Sequence, residues 1–314
     1  MTFAPPPLRG RRGSASAALR ARGEPEDGVQ PQMTLAAVAV VEGLGIHSGK
    51  PARLSIGPAA PDAGVSFLRT DLAAAAAIPA RAERVSDTRL ATVLAGDDGA
   101  TVSTVEHLMA ALAGLGVDNA RIEIDGPELP ILEGAAAGFV EAIERAGLAA
   151  QPAPRRWLKV IAPVEVIQPG KRVALSPASR LELSVEIVFE ASAIGRQRID
   201  LCVDPASFRS EIAAAKTFGF IAEVELLRAA GLGRGASLEN TVVVDGAQVL
   251  NPQILARPDD FVRHKALDAL GDLALAGRPI LGRYEGYCAG HALNNQLVRA
   301  LLASPESWEL TEDA

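Results

Sequence analysis

The chain has 314 residues, 48% of them hydrophobic and 22% charged, enough apolar content for a buried core and enough length for two domains of ordinary size. Its formal charge of −7 argues against general nucleic-acid binding. Its two cysteines, Cys202 and Cys288, build no disulfide framework and point to a reducing, cytoplasmic setting.

Residues 1–32 carry five prolines and five arginines and lack the apolar stretch of a secretory signal, so they read as a disordered N-terminal extension, with Met33 opening the first strand-like segment. No apolar run reaches the ~18 residues of a membrane span. Stable membrane insertion is not expected, while peripheral proximity to a membrane remains open. β-Branched runs at 37–41 and 52–56 predict strands. Between them Gly43, Gly45 and Gly49 frame His47, and Lys50 closes a loop that lacks phosphate-loop spacing. A tight hairpin is an equally good reading there. A helix is expected over 102–115, a strand over 119–124, and a second helix over 135–146. Pro152 and Pro154 suggest a linker at 149–156.

The second half follows a similar plan, with strands at 157–167, 181–189 and 240–245. Helices are expected at 223–230 and 258–276, then a strand at 280–287 and a last helix at 290–303. The fold class is therefore α+β, with a domain at 33–150 and another at 155–308. The likeness between the halves is one of element order.

Chemistry concentrates around the four histidines. His264, Asp268 and Asp272 stand at i, i+4 and i+8, so a helix lines them along one stripe. Taken alone, that stripe fits a solvated Lys/Asp face with one satisfied histidine. Thr104-Val105-Glu106-His107 reads as a helix start capped by Thr104, and His107 adds a ligand from a separate element. His107, His264 and Asp268 together give three ligands for Zn²⁺ and leave a fourth position for water, with Glu106 placed to take that water's proton. His291, before the last helix, is a candidate general acid for a leaving amine, and Asp272 could hold it charged and oriented. A loop histidine beside asparagine caps is the plain alternative. Lys265, about 100° around the helix from His264, could reach a phosphate rather than the metal. Thr217 in Lys216-Thr217-Phe218-Gly219-Phe220 offers one hydroxyl to an oxyanion, or the segment is simply a strand start with two buried rings.

Taken together, these segments resemble the bacterial UDP-3-O-acyl-N-acetylglucosamine deacetylases of lipid A synthesis, which are zinc amidohydrolases. The resemblance runs from about Thr34 to Trp308. It rests on Gly43–Lys50, Asp87-Thr88-Arg89, Thr104–Asn119, Glu128–Gly134, Thr217–Phe220, Phe261–Asp272 and Gly290–Asn295. It implies two similar domains whose helices pack between two sheets in a β-α-α-β sandwich, each with a small insert. The second insert would form an acyl-chain passage near 189–203, lined by Ile194, Ile199 and Leu201.

The resemblance further assigns His107, His264 and Asp268 to the metal, Zn²⁺ with Fe²⁺ also accepted by such a set. It makes Glu106 the base, His291 the acid with Asp272 behind it, and Thr217 the oxyanion donor. Lys265, Phe189, Phe218 and Ile194 would meet the UDP-linked acylated amino sugar. Three departures from the family pattern stand out: Lys216 where Arg is usual, Leu132-Glu133-Gly134-Ala135 for Met-Asp-Gly-Ser, and Tyr287-Cys288-Ala289-Gly290 for Tyr-Lys-Ser-Gly. They motivate an alternative: a silent or substrate-shifted paralogue that binds a UDP-lipid or a regulatory partner.

Overall fold

The computed structural model describes residues 29–313. In chain order the first half comprises β1 (Pro31–Leu35), β2 (Ala39–Leu44), β3 (Pro51–Pro58), β4 (Val65–Arg69), β5 (Ile78–Pro79), β6 (Val85–Asp87), β7 (Val93–Ala95), β8 (Thr101–Ser103), α1 (Glu106–Leu115), β9 (Ala120–Ile124), α2 (Ala137–Ala146) and β10 (Leu148–Pro154). The second half comprises β11 (Trp157–Val160), β12 (Val164–Gln168), β13 (Lys171–Ser176), β14 (Leu181–Val188), β15 (Arg196–Cys202), the short α3 (Pro205–Ser207), β16 (Phe218–Phe220), α4 (Ile221–Ala229), β17 (Val242–Asp245), β18 (Gln248–Val249), α5 (Asp260–Leu273), β19 (Ile280–Tyr287), α6 (His291–Leu302) and β20 (Trp308–Thr311).

The α+β class expected from the sequence is what the structure has. One sheet runs β2-β3-β9-β4-β5. In the other, β12, β13, β19, β14 and β15 pair in that same order, with β11 added alongside β19 and β20 alongside β11. The directions agree as well: β4 is parallel to β9 and β14 is parallel to β19, while the remaining pairs of the two five-strand series are antiparallel. Alternation explains the inner faces. Ala52, Leu54 and Ile56 of β3 point inward between more exposed neighbours, and Leu183, Val185 and Ile187 of β14 line the inner face in the same alternation, with Ser184 between them also buried.

The helices fill the space between these sheets. α2 lies on β2, α6 on β12 and β13, and α5 on β14 and β15, while α1 meets both α2 and α5. One continuous apolar cluster runs from Leu54 and Phe67 through Leu108 and Leu270 to Tyr284 and Leu301. The α1–α5 contact is close because Gly271 carries no side chain against the Glu106 backbone, while Gly114 of α1 leaves room for the Phe208 ring.

Several boundaries differ from the sequence reading. Residues 1–28 lie outside the described residues, and Pro31 and Gln32 already belong to β1, so the supposed extension overlaps a strand. The stretch read as a linker at 149–156 is largely β10, paired antiparallel with β1. Its prolines sit in a two-stranded ribbon, where a missing donor is tolerated. The helix expected from 102 begins at Glu106, because Thr104 takes a positive φ of 61° and Thr101–Ser103 is a strand. The strand expected over 157–167 is broken between β11 and β12, around Pro163.

The expected acyl-passage insert at 189–203 is also misplaced. These residues turn and run back as β15, paired residue for residue with β14 in the large sheet. The small appended units lie elsewhere: β6-β7-β8 in the first half, and β16-β17-β18 with α4 in the second.

Candidate active site

Two helices bring the candidate metal ligands together. α5 presents His264 and Asp268 one turn apart, and α1 presents His107 from its first turn, all three buried. Nε2 of His107 lies 3.6 Å from Asp268 Oδ1, and Nε2 of His264 lies 3.4 Å from the same oxygen. The two imidazole rings meet edge to face with centroids 5.0 Å apart. His264 Nδ1 faces the Ala215 carbonyl oxygen at 3.0 Å, which places the proton there and leaves the Nε2 lone pair directed inward.

The donor set fits a divalent cation. Asp268 Oδ1 is buried and has no hydrogen-bond partner among the described residues, a costly state for a carboxylate oxygen unless a cation meets it. Burial lowers the His264 pKa to about 3, against the pull of Asp268, so the ring is neutral and free to ligate. Burial opposes ionisation of Asp268, but the neighbouring His264 and the Lys265 ammonium hold it well below the usual carboxylate range. Two imidazoles and one carboxylate make a borderline set suited to zinc or ferrous iron.

Glu106, His291 and Asp272 complete the cluster. His291 Nε2 is 3.9 Å from Glu106 Oε1 and 4.0 Å from Asp268 Oδ2, and its Nδ1 is 2.9 Å from Asp272 Oδ2. Burial works against the charged imidazole. Asp272, Glu106 and Asp268 outweigh it and raise the His291 pKa to about 10. Burial pushes the Glu106 carboxyl up from its ordinary value, partly countered by His291 and His107.

Some neighbours were given no site role from the sequence. Thr92 donates its backbone N–H to Glu106 Oε2 at 3.0 Å and its hydroxyl to Asp272 Oδ1 at 2.6 Å. Asn294 donates to Asp272 Oδ2 at 2.8 Å and accepts from the buried Tyr284 hydroxyl at 2.7 Å. Asp260, at the start of α5, accepts from the backbone N–H groups of Ala256 and Arg257 and so fixes where that helix begins.

Other expected site residues are distributed unevenly. Lys265 does not turn away from the metal set: its ammonium donates to Asp268 Oδ2 at 2.9 Å and lies 5.4 Å above the Phe218 ring. Phe218 packs against Phe189, Phe220 and Phe261, and its ring centroid is 6.3 Å from that of His264, so an aromatic wall flanks the cluster. Thr217 begins that wall, held by its N–H to the Gly134 oxygen at 2.7 Å. Ile194 packs into the main core and is 5% exposed.

Thr104 is not the cap of α1. Val105 holds that position, and Thr104 instead donates to Glu128 Oε1 at 3.4 Å. Glu128 also accepts from the N–H groups of His47 and Ser48 at 2.7 and 2.8 Å, so Gly43–Lys50 is a clamped β2–β3 hairpin loop rather than a phosphate loop. Two of the unusual residues meet each other: Lys216 donates to the backbone oxygen of Glu133, whose carboxylate accepts from Gly138 N–H at the start of α2.

The chain is similar to known proteins over most of its length. The family model of UDP-3-O-acyl N-acetylglycosamine deacetylases matches residues 32–303. A UDP-3-O-acyl-N-acetylglucosamine deacetylase of Phenylobacterium zucineum (strain HLK1) is 54% identical over 280 residues, covering 89% of this chain and 96% of its own. That of Myxococcus xanthus (strain DK1622) is 49% identical over 279 residues, covering 89% and 88%. That of Shewanella oneidensis (strain MR-1) is 47% identical over 281 residues, covering 89% and 92%. With a matched region that takes in both helices of the cluster, the chain belongs to the UDP-3-O-acyl N-acetylglycosamine deacetylase family.

Proposed function

We propose that this protein hydrolyses the N-acetyl group of UDP-3-O-acyl-N-acetylglucosamine, releasing acetate and the 2-amino sugar for lipid A biosynthesis. The observation that carries the reading is the convergence of His107, His264 and Asp268 beside Glu106 and a charged His291. The family name supplies the substrate; the cluster supplies a way to break its amide.

His107, His264 and Asp268 would hold Zn²⁺, with Fe²⁺ accepted by the same donors. Bound there, the ion supplies Lewis-acid polarisation and lowers the pKa of water. Glu106 takes the proton of the attacking water. Its carboxylate is steadied by Thr92 N–H on one oxygen, and its raised pKa brings it closer to the operating pH. The water oxygen bonds to the acetamide carbon as the carbonyl π pair moves onto oxygen, toward which the Thr217 hydroxyl donates. The C–N bond then breaks and His291, charged at neutral pH, gives its proton to the departing amine. Asp272 keeps that imidazolium oriented through Nδ1. Lys265 fixes the second oxygen of Asp268, so that the first faces the two imidazoles.

The aromatic wall of Phe189 and Phe218 would take the apolar part of the substrate beside the cluster. The matching strand orders of the two sheets support a division into two related domains near residue 155, with β16, α4 and β17 as the second insert. Among the described residues no helix is long and apolar enough to cross a membrane. A cytoplasmic enzyme that meets its lipid substrate peripherally is the placement we favour.

The test is direct. Purified protein is assayed for bound metal and for acetate release from UDP-3-O-acyl-N-acetylglucosamine with several acyl lengths. One metal per chain with acetate release at any length supports the reading. One metal per chain with no release at all would leave a binding protein in its place.

A further inference from the structure

A cavity of about 460 Å³ opens against the C-terminal turns of α1 and α5, and none of the residues proposed for the hydrolytic reaction lines it. Its apolar lining includes Met109 and Leu112 from α1 and Leu270 and Leu273 from α5, all four buried. Its rim is basic: Arg81, Arg155, Arg156, Arg180 and Arg278 come from four separate parts of a chain whose overall charge is −7.

The charges around it do not balance. Arg155 pairs with Asp118 at 3.0 Å and Arg156 with Asp62 at 3.2 Å, and Asp204 is the third carboxylate on the lining. Arg81 reaches the Ala276 carbonyl oxygen at 3.3 Å, and among the described residues neither Arg81 nor Arg278 has a carboxylate within ion-pair distance. Five guanidiniums thus face three carboxylates. The two helix C-termini offset about one further positive charge, which leaves an excess of about one. Arg278 registers the crowding, since burial and then the guanidiniums of Arg156 and Arg81 depress its pKa.

The geometry is also prepared for a head group. The Arg81 guanidinium lies over Gly277, where a Cβ would stand 2.0 Å from Nη1, and Arg155 lies over Gly116, where a Cβ would stand 3.3 Å from Nη1. Both glycines cap a helix end at positive φ, so the arginines cross the helix ends without obstruction. Arg155 also stacks 5.6 Å from the ring centroid of Trp157, which lines the same cavity.

We propose that this cavity binds an amphiphilic anion, its single phosphate or carboxylate head on Arg81, Arg155 and Arg278 and its alkyl body against Met109, Leu112, Leu270 and Leu273. The inference is independent of the hydrolytic reading, because it uses neither the metal set nor its acid and base. A guanidinium fork suits either head group, and the apolar lining separates this ligand from free inorganic phosphate.

The chain has two tryptophans, so Trp308→Phe leaves Trp157 as the one indole emitter. This variant of the full chain is titrated with octyl phosphate and octanoate below their micellar concentrations and with octan-1-ol below its solubility limit. At least one anion is expected to shift Trp157 emission saturably, with octanol at least about tenfold weaker. Preference for phosphate over carboxylate identifies a phospholipid-like ligand, and the reverse a fatty-acid-like one. Arg81→Gln and Arg278→Gln should each weaken the anion about tenfold while far-UV circular dichroism stays unchanged. If either variant fails to fold, raised salt applied to the Trp308→Phe chain serves instead, weakening the anion and sparing octanol. No saturable shift, equal binding of octanol, or anion binding untouched by both substitutions and by salt overturns the proposal.

Discussion

Gly271 of α5 rests directly on the backbone of Glu106 in α1: a Cβ built at Gly271 would stand 2.0 Å from the Glu106 carbonyl oxygen. Gly271 lies between Asp268, three residues before it, and Asp272, and Glu106 is followed by His107, so this one approach sets the spacing of the whole cluster. Gly271→Ala should raise helix propensity by about 1 kcal/mol, yet the overpacking it forces costs about 1–3 kcal/mol and separates the helices. We expect a lower denaturation midpoint and a loss of about 10²-fold in kcat, since displacements near 1 Å carry that penalty. Unchanged acetate release in the alanine variant would show that helix spacing does not control the site.

Glu106 and His264 separate chemistry from ligation. Glu106→Gln keeps shape and the Thr92 contact but removes the proton acceptor. It should lose about 10²–10⁴-fold in kcat and retain one metal per chain. His264→Ala should lose metal and activity together, and metal added back should restore neither. Metal analysis beside the rate assay decides this, and loss of metal from Glu106→Gln would contradict the assignment.

The pH profile follows from the two shifts. Glu106 must be ionised and His291 charged, so kcat/KM should rise through the raised Glu106 pKa and fall near 10. Asp272 is the foremost of the carboxylates that hold His291 up, and Asp272→Asn should move the alkaline limb to lower pH, with about 10²-fold lower kcat. Stability is linked in the same direction. The folded His291 pKa is raised, so its contribution is complete below the unfolded value of 6.5 and is lost as pH climbs through about 10. The denaturation midpoint of His291→Gln should therefore vary less than that of the unaltered chain across that window.

The sequence made some of this site legible and not the rest, for physical reasons. His264, Asp268 and Asp272 could be aligned because helical period alone places them on one stripe, and α5 is helical over all three. Thr92 could not, since it sits in an irregular segment and reaches Asp272 across 180 residues. Lys265 was pointed away by helical angle, but its long stem bends back to the buried Asp268 carboxylate, where an ion pair is strongest. β10 looked like a linker because its prolines mask a strand whose partner, β1, lies at the far end of the half. The resemblance put an insert near 189–203, but residues 196–202 pair with β14, and strand pairing is not written in local sequence.

Glu128 is the remaining lever on the site, acting from behind. Its two oxygens accept from His47 N–H, Ser48 N–H and the Thr104 hydroxyl, and it is 4% exposed. Thr104 holds the strained positive φ immediately before α1 delivers Glu106 and His107, so the carboxylate fixes both the β2–β3 loop and the start of that helix. Glu128→Ala would leave two backbone donors without their acceptor, at about 1–3 kcal/mol for each one that stays buried. Glu128→Gln keeps one acceptor oxygen and replaces the other with a donor that opposes an N–H. The expected order of stability is therefore unaltered chain, then Gln, then Ala, with kcat following the same order, because a loosened Thr104 releases the first turn of α1. Chemical denaturation and acetate release measured on both variants check this, and an alanine variant as stable and active as the unaltered chain would remove Glu128 from the account.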